Sequence, residues 1–432
     1  MKKNFTFFSL LLTLTSWSQN PCANGRYASD VFQNVTTTSN ITFGANASWS
    51  GGNTVLKLDV YEPTGDTETS RPLILWVHGG SFIGGSKTDG DMVALSKRFT
   101  KKGYVCASVD YRIGFFPFDS ANAVKAVVRA VQDLRAAVRF FYKDKQTTDT
   151  YKIDTTKIYV GGSSAGAITA LHLAYLDDEC EISDYLNSAT ITQLGGLEGN
   201  SGNPGYSSAV QGVLNGCGAL ARYSWMEPGD IPVASVHGTN DGTVKYNRGI
   251  VNPGTPLMYL DGSRMIHERA CAAGVENQFY TFLGAPHVPY AANAAYMDTT
   301  VNFFRDFLIN QLGCPDAMLQ AENEPAQAVF LYPTDYCDGS PVDEVCTASG
   351  ITELNPLTAL IYPNPAQQAI QVIPSLEGKY TVAILDISGR IITSVEVEYG
   401  IAELSLSALV SGNYFVKVQS GNHMYTEQLI KY

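Results

Sequence analysis

Histidine is scarce in this chain, with six in 432 residues. Neither a paired-histidine helix nor a cysteine-pair spacing occurs, so His78 and His237, which could in principle share a metal with Asp241, lack the pattern of a metal site. No metal and no cofactor is expected. Positive charge is short as well: 29 Lys and Arg face 41 Asp and Glu, a formal charge of −12. That excludes a surface built to track nucleic-acid phosphates and gives no attraction to anionic membranes. No stretch approaches the roughly 20 apolar residues of a membrane-spanning helix, so no membrane span is expected.

What the chain has is a strand-to-turn-to-helix grammar around serine. Lys157-Ile158-Tyr159-Val160 is apolar and runs into Gly161-Gly162-Ser163-Ser164-Ala165-Gly166, a G-x-S-x-G pattern followed by helix-forming residues. A serine hydroxyl is a weak nucleophile unless a strained turn exposes it, a base takes its proton and backbone N–H groups hold the oxyanion. Ser163 would fit a looser G-x-S-x-A. Only Ser164 has glycine two residues away on both sides, and it is the expected nucleophile.

Three further strands end in polar turns. Arg71 to Val77 is apolar and leads into His78-Gly79-Gly80-Ser81-Phe82, a turn able to aim backbone donors inward. Ile231 to Val236 leads into His237-Gly238-Thr239-Asn240-Asp241, and Gln278 to Leu283 leads into Gly284-Ala285-Pro286-His287. The order Ser164, Asp241, His287 is that of the α/β-hydrolase fold, because the other two familiar serine-triad folds order their members differently. The polar ends converge on one edge of a parallel sheet.

From about Val55 to Leu312 the chain resembles α/β-hydrolases of the carboxylesterase and hormone-sensitive-lipase-like group. The resemblance lies in Leu58-Asp59-Val60-Tyr61-Glu62-Pro63, His78 to Phe82, Val109-Asp110-Tyr111-Arg112, Gly162 to Gly166, His237 to Asp241 and the late His287. It implies oxyanion donors at the N–H groups of Gly80, Ser81 and Ala165. Ser81 replaces a third glycine common in that group, which leaves the backbone donor in place.

Ala121 to Phe141 is apolar at helical spacing and reads as the crossover helix before the nucleophile strand, with Asp133 and Arg135 as structural or solvated charges. Gly114-Phe115-Phe116-Pro117-Phe118 and Trp225 either line an acyl or aryl pocket or anchor their loops. Leu176 to Gly229, rich in Gly, Asn and Ser, reads as an irregular lid. Such a loop-built, polar-rimmed site favours modest, soluble esters.

Met1-Lys2-Lys3, the apolar run from Phe5 to Trp17 and Ser16-Trp17-Ser18 read as a signal peptide over 1–18. The eight cysteines of an exported chain favour disulfides, with Cys337–Cys346 the first choice and Cys106 a small core residue. A catalytic domain is expected over 19–314 and an acidic linker over 315–355, where Asp316 to Asn355 holds eight acids and no Lys or Arg. From 356 to 432 the apolar period becomes two, as in Ala369 to Ile373, Tyr380 to Leu385, Ile391 to Val395, Tyr414 to Val418 and Tyr425 to Ile430, which predicts a small β-sandwich.

This tail resembles the C-terminal sorting domain of the type IX secretion system, through Tyr362-Pro363-Asn364-Pro365, Leu385-Asp386-Ile387-Ser388-Gly389-Arg390 and Ser411-Gly412-Asn413-Tyr414-Phe415-Val416-Lys417-Val418. The resemblance implies export through the periplasm of a Gram-negative bacterium to the surface or medium, with the secretion machinery as partner. The expected protein is thus a secreted serine carboxylesterase of α/β-hydrolase fold, a mostly parallel sheet flanked by helices, followed by a C-terminal β-sandwich. The alternatives are a carbohydrate esterase removing acetyl or feruloyl groups from plant polysaccharide, and a catalytically silent adhesion protein on the same fold.

Overall fold

In the computed structural model the described residues are 22–183, 185–314, 331–333 and 359–432, without 375–377, 388, 399 and 421–422. The expected signal peptide and the Cys337–Cys346 pair lie outside them, as does all of the expected acidic linker except 331–333. The chain divides into two compact units.

The first unit opens with β1 (Val35–Ala47), β2 (Asn53–Pro63), β3 (Arg71–Val77), α1 (Gly90–Lys101), β4 (Val105–Val109), α2 (Ser120–Gln146), β5 (Ile153–Ser163) and α3 (Ala165–Tyr175). Two short helices follow, α4 (Glu179–Ile182) and α5 (Ser188–Leu194), then β6 (Gly212–Gly216), β7 (Ala219–Leu220), β8 (Val233–Gly238), β9 (Arg248–Ile250) and β10 (Tyr259–Gly262). It ends with α6 (Ser263–Ala273), β11 (Asn277–Phe282), α7 (Ala294–Gln311) and β12 (Leu331–Pro333).

The main sheet runs β1-β2-β4-β3-β5-β6-β8-β11-β12. β3, β4, β5, β6, β8 and β11 are mutually parallel, and the antiparallel strands sit at the two edges. A parallel sheet covered on both faces needs strands apolar on both faces, and β3 is buried at every position. Leu73, Leu75 and Val77 point into the core shared with α2 and α3, while Ile74 and Trp76 enter the one shared with α1 and α7. The disulfide Cys22–Cys314 joins residues 292 apart in sequence.

One expectation for this unit needs correction. Leu176 to Gly229 is not all lid: Gly212-Val213-Leu214-Asn215-Gly216 is a fully buried strand between β5 and β8. Its two glycines and one asparagine hid a core strand, because Gly216 packs against the Tyr290 hydroxyl and Asn215 is satisfied by buried hydroxyls. Of the two expected readings of Asp133 and Arg135, structural or solvated, the structure favours the structural one. Asp133 is fully buried, accepts from the Arg112 side chain and N–H at 2.8–2.9 Å, and accepts from Ser201 at 2.5 Å. This ties the Tyr111-Arg112 turn, α2 and the Ser201 loop together. Arg135 pairs with Glu198 at 2.6 Å.

The second unit consists of β13 (Ala359–Tyr362), β14 (Ala369–Pro374), β15 (Tyr380–Leu385), β16 (Ile391–Val397), β17 (Ala402–Ser405), β18 (Gly412–Ser420) and β19 (His423–Lys431). They form two antiparallel sheets, β13-β14-β17 and β16-β15-β18-β19. Ile370, Val372, Val382, Ile384, Leu404, Val416 and Val418 alternate into one core between them.

Candidate active site

Four strand ends build the site. At the end of β5 the backbone turns sharply and Ser164 adopts φ 55°, ψ −119°, a conformation that costs a non-glycine residue about 1–3 kcal/mol. The strain is held in place because the Ser164 N–H donates to the Gly216 carbonyl at 2.9 Å and the Ser164 carbonyl starts α3 by accepting from Ile168 N–H at 2.9 Å. The turn fits under β3 only without side chains at two positions. A β-carbon on Gly162 would lie 2.4 Å from the Val77 oxygen, and one on Gly166 would lie 1.9 Å from it.

Ser164 is the serine that faces His287. Its hydroxyl donates to His287 Nε2 at 2.7 Å, and His287 Nδ1–H donates to Asp241 Oδ2 at 2.6 Å. Asp241 follows β8 and His287 follows β11, adjacent parallel strands, so the loop residues meet although 46 positions separate them. Asp241 Oδ1 accepts from the N–H groups of Thr243 and Val244, each at 2.9 Å. Burial works to raise the Asp241 carboxyl pKa, but the hydrogen bonds from His237 and His287 outweigh it and hold the group below the ordinary carboxylate range. Ser163 points elsewhere, to the buried Tyr290 hydroxyl at 2.9 Å.

The turn after β3 lies directly on the elbow, with the space of a Gly79 β-carbon 3.4 Å from Ser164 Cβ. Gly80 and Ser81 have positive φ, 103° and 55°. His78 is stacked on Tyr111, its centroid 4.3 Å away, and its Nδ1–H donates to the Gly79 carbonyl at 2.7 Å. Ala165 is the first residue of α3, where backbone N–H groups lack partners within the helix and the helix dipole favours negative charge. Gly80, Ser81 and Ala165 thus border the space in front of Ser164.

Two spaces meet at the Ser164 hydroxyl. One is an apolar cavity of about 70 Å³ walled by Phe82, Phe115, Val124, Val128, Ile168, Ile182, Trp225 and Leu257 among others. Its histidine, His172, is spent on the protein: Nδ1–H donates to the Ile168 carbonyl, Nε2 accepts from Ala221 N–H, and burial lowers its pKa to about 4. The other is an open cleft lined by Gly80, Asp89, Asp91, Asn252 and His287. The two readings of the phenylalanine loop divide by residue. Phe115 is buried and lines the cavity, whereas Phe116 and Phe118 are 64% and 54% exposed. The site is less loop-built than expected, because helices α2 and α3 supply much of the apolar wall, while Asp89, Asp91 and Asn252 give the outer cleft a polar rim.

Among the described residues one group of potential metal ligands clusters, Cys217, His237 and Asp241, all buried. The cluster is poorly suited to an ion. Both Asp241 oxygens already accept from nitrogen donors, and burial pushes the Cys217 thiol up to about 12, so it stays protonated. The sequence reading missed three residues around the site: His237 against Asp241, Tyr290 behind Ser163 and the Gly216 carbonyl under Ser164. Only His237 carried a signal, its place in the motif.

Residues 58–200 match the BD-FAE family model, which spans the turn after β3 and the elbow but ends before Asp241 and His287. Residues 360–432 match the model described as secretion system C-terminal sorting domain. Gut esterase 1 of Caenorhabditis briggsae is 31% identical over 130 residues, 30% of this chain and 22% of that protein. The neuroligin-like protein glit-1 of Caenorhabditis elegans is 26% identical over 223 residues, 48% of this chain and 28% of that one. The chain therefore spans well under two thirds of these curated relatives. Among solved structures, the apo form of Thermogutta terrifontis esterase 2 aligns with a TM-score of 0.47 at 20% identity, covering 62% of this chain and 94% of the other. The chain combines an α/β-hydrolase fold, esterase-like in its BD-FAE region, with a type IX secretion sorting domain at its C-terminus.

Proposed function

We propose that the protein is a secreted serine ester hydrolase that works through an acyl-enzyme on Ser164. The observation that carries this reading is the chain Ser164–His287–Asp241, with contacts of 2.7 and 2.6 Å, at the mouth of an apolar cavity. His287 Nε2 takes the Ser164 proton as Oγ attacks the ester carbonyl. The N–H groups of Gly80, Ser81 and Ala165 hold the oxyanion, and Asp241 stabilises the imidazolium. His287 then gives its proton to the leaving alcohol, and water clears the acyl group with the same histidine as base.

The cavity takes the acyl part and the open cleft the alcohol part. The cavity wall, built from Phe82, Phe115, Ile168 and Trp225 among others, is almost wholly apolar and so favours an alkyl or aryl acyl group. Asp89 and Asp91 in the cleft suit a polar, hydroxyl-rich alcohol. Within the carbohydrate-esterase alternative, this combination favours an aromatic acyl ester over an acetyl ester. The test is turnover by the full chain of p-nitrophenyl esters of rising acyl length, methyl ferulate and acetylated xylan, together with organophosphonate labelling. Labelling and turnover lost in Ser164→Ala support the reading. Absence of both in the wild type would put the silent adhesion protein first.

A further inference from the structure

A second imidazole stands behind Asp241. His237, near the end of β8, is fully buried. Its Nε2 lies 3.0 Å from the Val244 carbonyl oxygen and 3.1 Å from Asp241 Oδ2. Both are acceptors, so Nε2 carries a hydrogen. Its Nδ1 lies 2.7 Å from Ser263 Oγ. Ser263 accepts from Asn215 Nδ2 at 2.9 Å, and its own hydrogen has Nδ1 at 2.7 Å or the Gly218 carbonyl at 3.4 Å to choose from. Ser263 Oγ can give its hydrogen to Nδ1 or accept one from it, and in either case Nε2 keeps its own hydrogen.

We propose that His237 is a positioning residue for the Asp241 carboxylate, acting through an Nε2–H bond to the same oxygen that receives His287. The proposal rests on the serine-hydrolase reading above. Thr243 and Val244 donate to Oδ1 and His287 donates to Oδ2, while the His237 Nε2–H, shared with the Val244 carbonyl at 3.0 Å, stands 3.1 Å from the same Oδ2 and helps hold the carboxylate in one orientation. When His287 takes the Ser164 proton, positive charge appears 2.6 Å from Oδ2. A second N–H on that oxygen lowers its basicity, so the proton remains on His287 and is available for the leaving alcohol. Asn215, Ser263 and the Val244 carbonyl keep the His237 ring from rotating away, much as outer partners orient a ligating histidine in metal sites.

The experiment compares His237→Phe, which keeps a ring and loses the donor, with His237→Gln, whose amide nitrogen can reach the Nε2 position. In the full chain, His237→Phe should lower kcat by about tenfold or more with KM within about twofold, and should slow phosphonylation of Ser164 in parallel. His237→Gln should recover most of kcat. If the phenylalanine variant does not fold, His237→Asn serves in its place, since its shorter side chain cannot reach Oδ2. At equal Tm the glutamine variant should exceed it by about tenfold in kcat. Equal activity in the donor-bearing and donor-lacking variants would overturn the proposal and leave His237 a packing residue. A wild-type protein that accepts no phosphonyl group on Ser164 would remove the hydrolase reading and this proposal with it.

Discussion

Ser163 and Ser164 are chain neighbours with opposite partners: the Ser163 hydroxyl meets the Tyr290 phenol at 2.9 Å inside the protein, and the Ser164 hydroxyl meets His287 at 2.7 Å. The elbow turns one serine to the core and the other to the cavity. Ser164→Ala should therefore abolish ester hydrolysis. Ser163→Ala should keep most of kcat while losing about 1 kcal/mol of stability, the usual net value of one hydrogen bond. Steady-state kinetics and urea unfolding of both variants check this. Equal loss of kcat in the two would show that the Ser163 bond shapes the elbow itself.

Filling the cavity should change acyl preference without touching the chemistry. Ala221 lines the cavity. Ala221→Phe should cut kcat/KM for octanoyl or aromatic acyl esters by about tenfold relative to acetyl esters, the scale of one to two displaced methylenes in an apolar pocket. A chain-length series on both proteins measures it. A uniform drop across all lengths would mean that the acyl group binds elsewhere.

Glu181 supplies a pH signature. Burial, helped by the negative charges of Asp177 and Glu227, raises its pKa to about 7 from 4.5, against hydrogen bonds from the N–H groups of Asp178 and Asp177. The folded state then holds a proton that the unfolded state releases, so stability falls as pH rises from about 4.5 to about 7 and levels off above. Glu181→Gln should remove this slope and raise Tm relative to wild type more at pH 8 than at pH 5. Thermal melts across that range decide it, and parallel curves would contradict the assignment.

The Cys22–Cys314 disulfide closes a loop of nearly the whole first unit. Cys314→Ser should destabilise the protein by about 2–5 kcal/mol through the freer unfolded chain. KM should not move, because neither cysteine borders the cavity or the cleft. Denaturant unfolding with and without reductant, alongside kinetics, tests both halves.

Local pattern was enough to locate the strands and turns that carry Ser164, Asp241 and His287, because each turn follows an apolar run and parallel strands bring their carboxyl ends to one edge. The choice of Ser164 over Ser163 also followed from glycine spacing, since the turn approaches the Val77 oxygen too closely for a β-carbon. The alternation of Ile370, Val372, Val382, Ile384, Val416 and Val418 announced the C-terminal sandwich in the same way. Signals of this kind are local: they depend on what a residue does to its own turn or face.

Tertiary structure decided the rest. β6 escaped notice because glycine and asparagine look like a loop until Tyr290, Ser235 and Ser263 arrive from later in the chain to fill and satisfy them. Asp133 looks solvent-facing on a helix until Arg112 and Ser201 close over it. The apolar cavity is assembled from α2, α3, the phenylalanine loop and the segment around Leu257, no one of which encodes a volume. Sequence determined which groups could do chemistry and at which strand ends they stand. Only packing determined what those groups face, since burial, partner and cavity are properties of residues far apart along the chain.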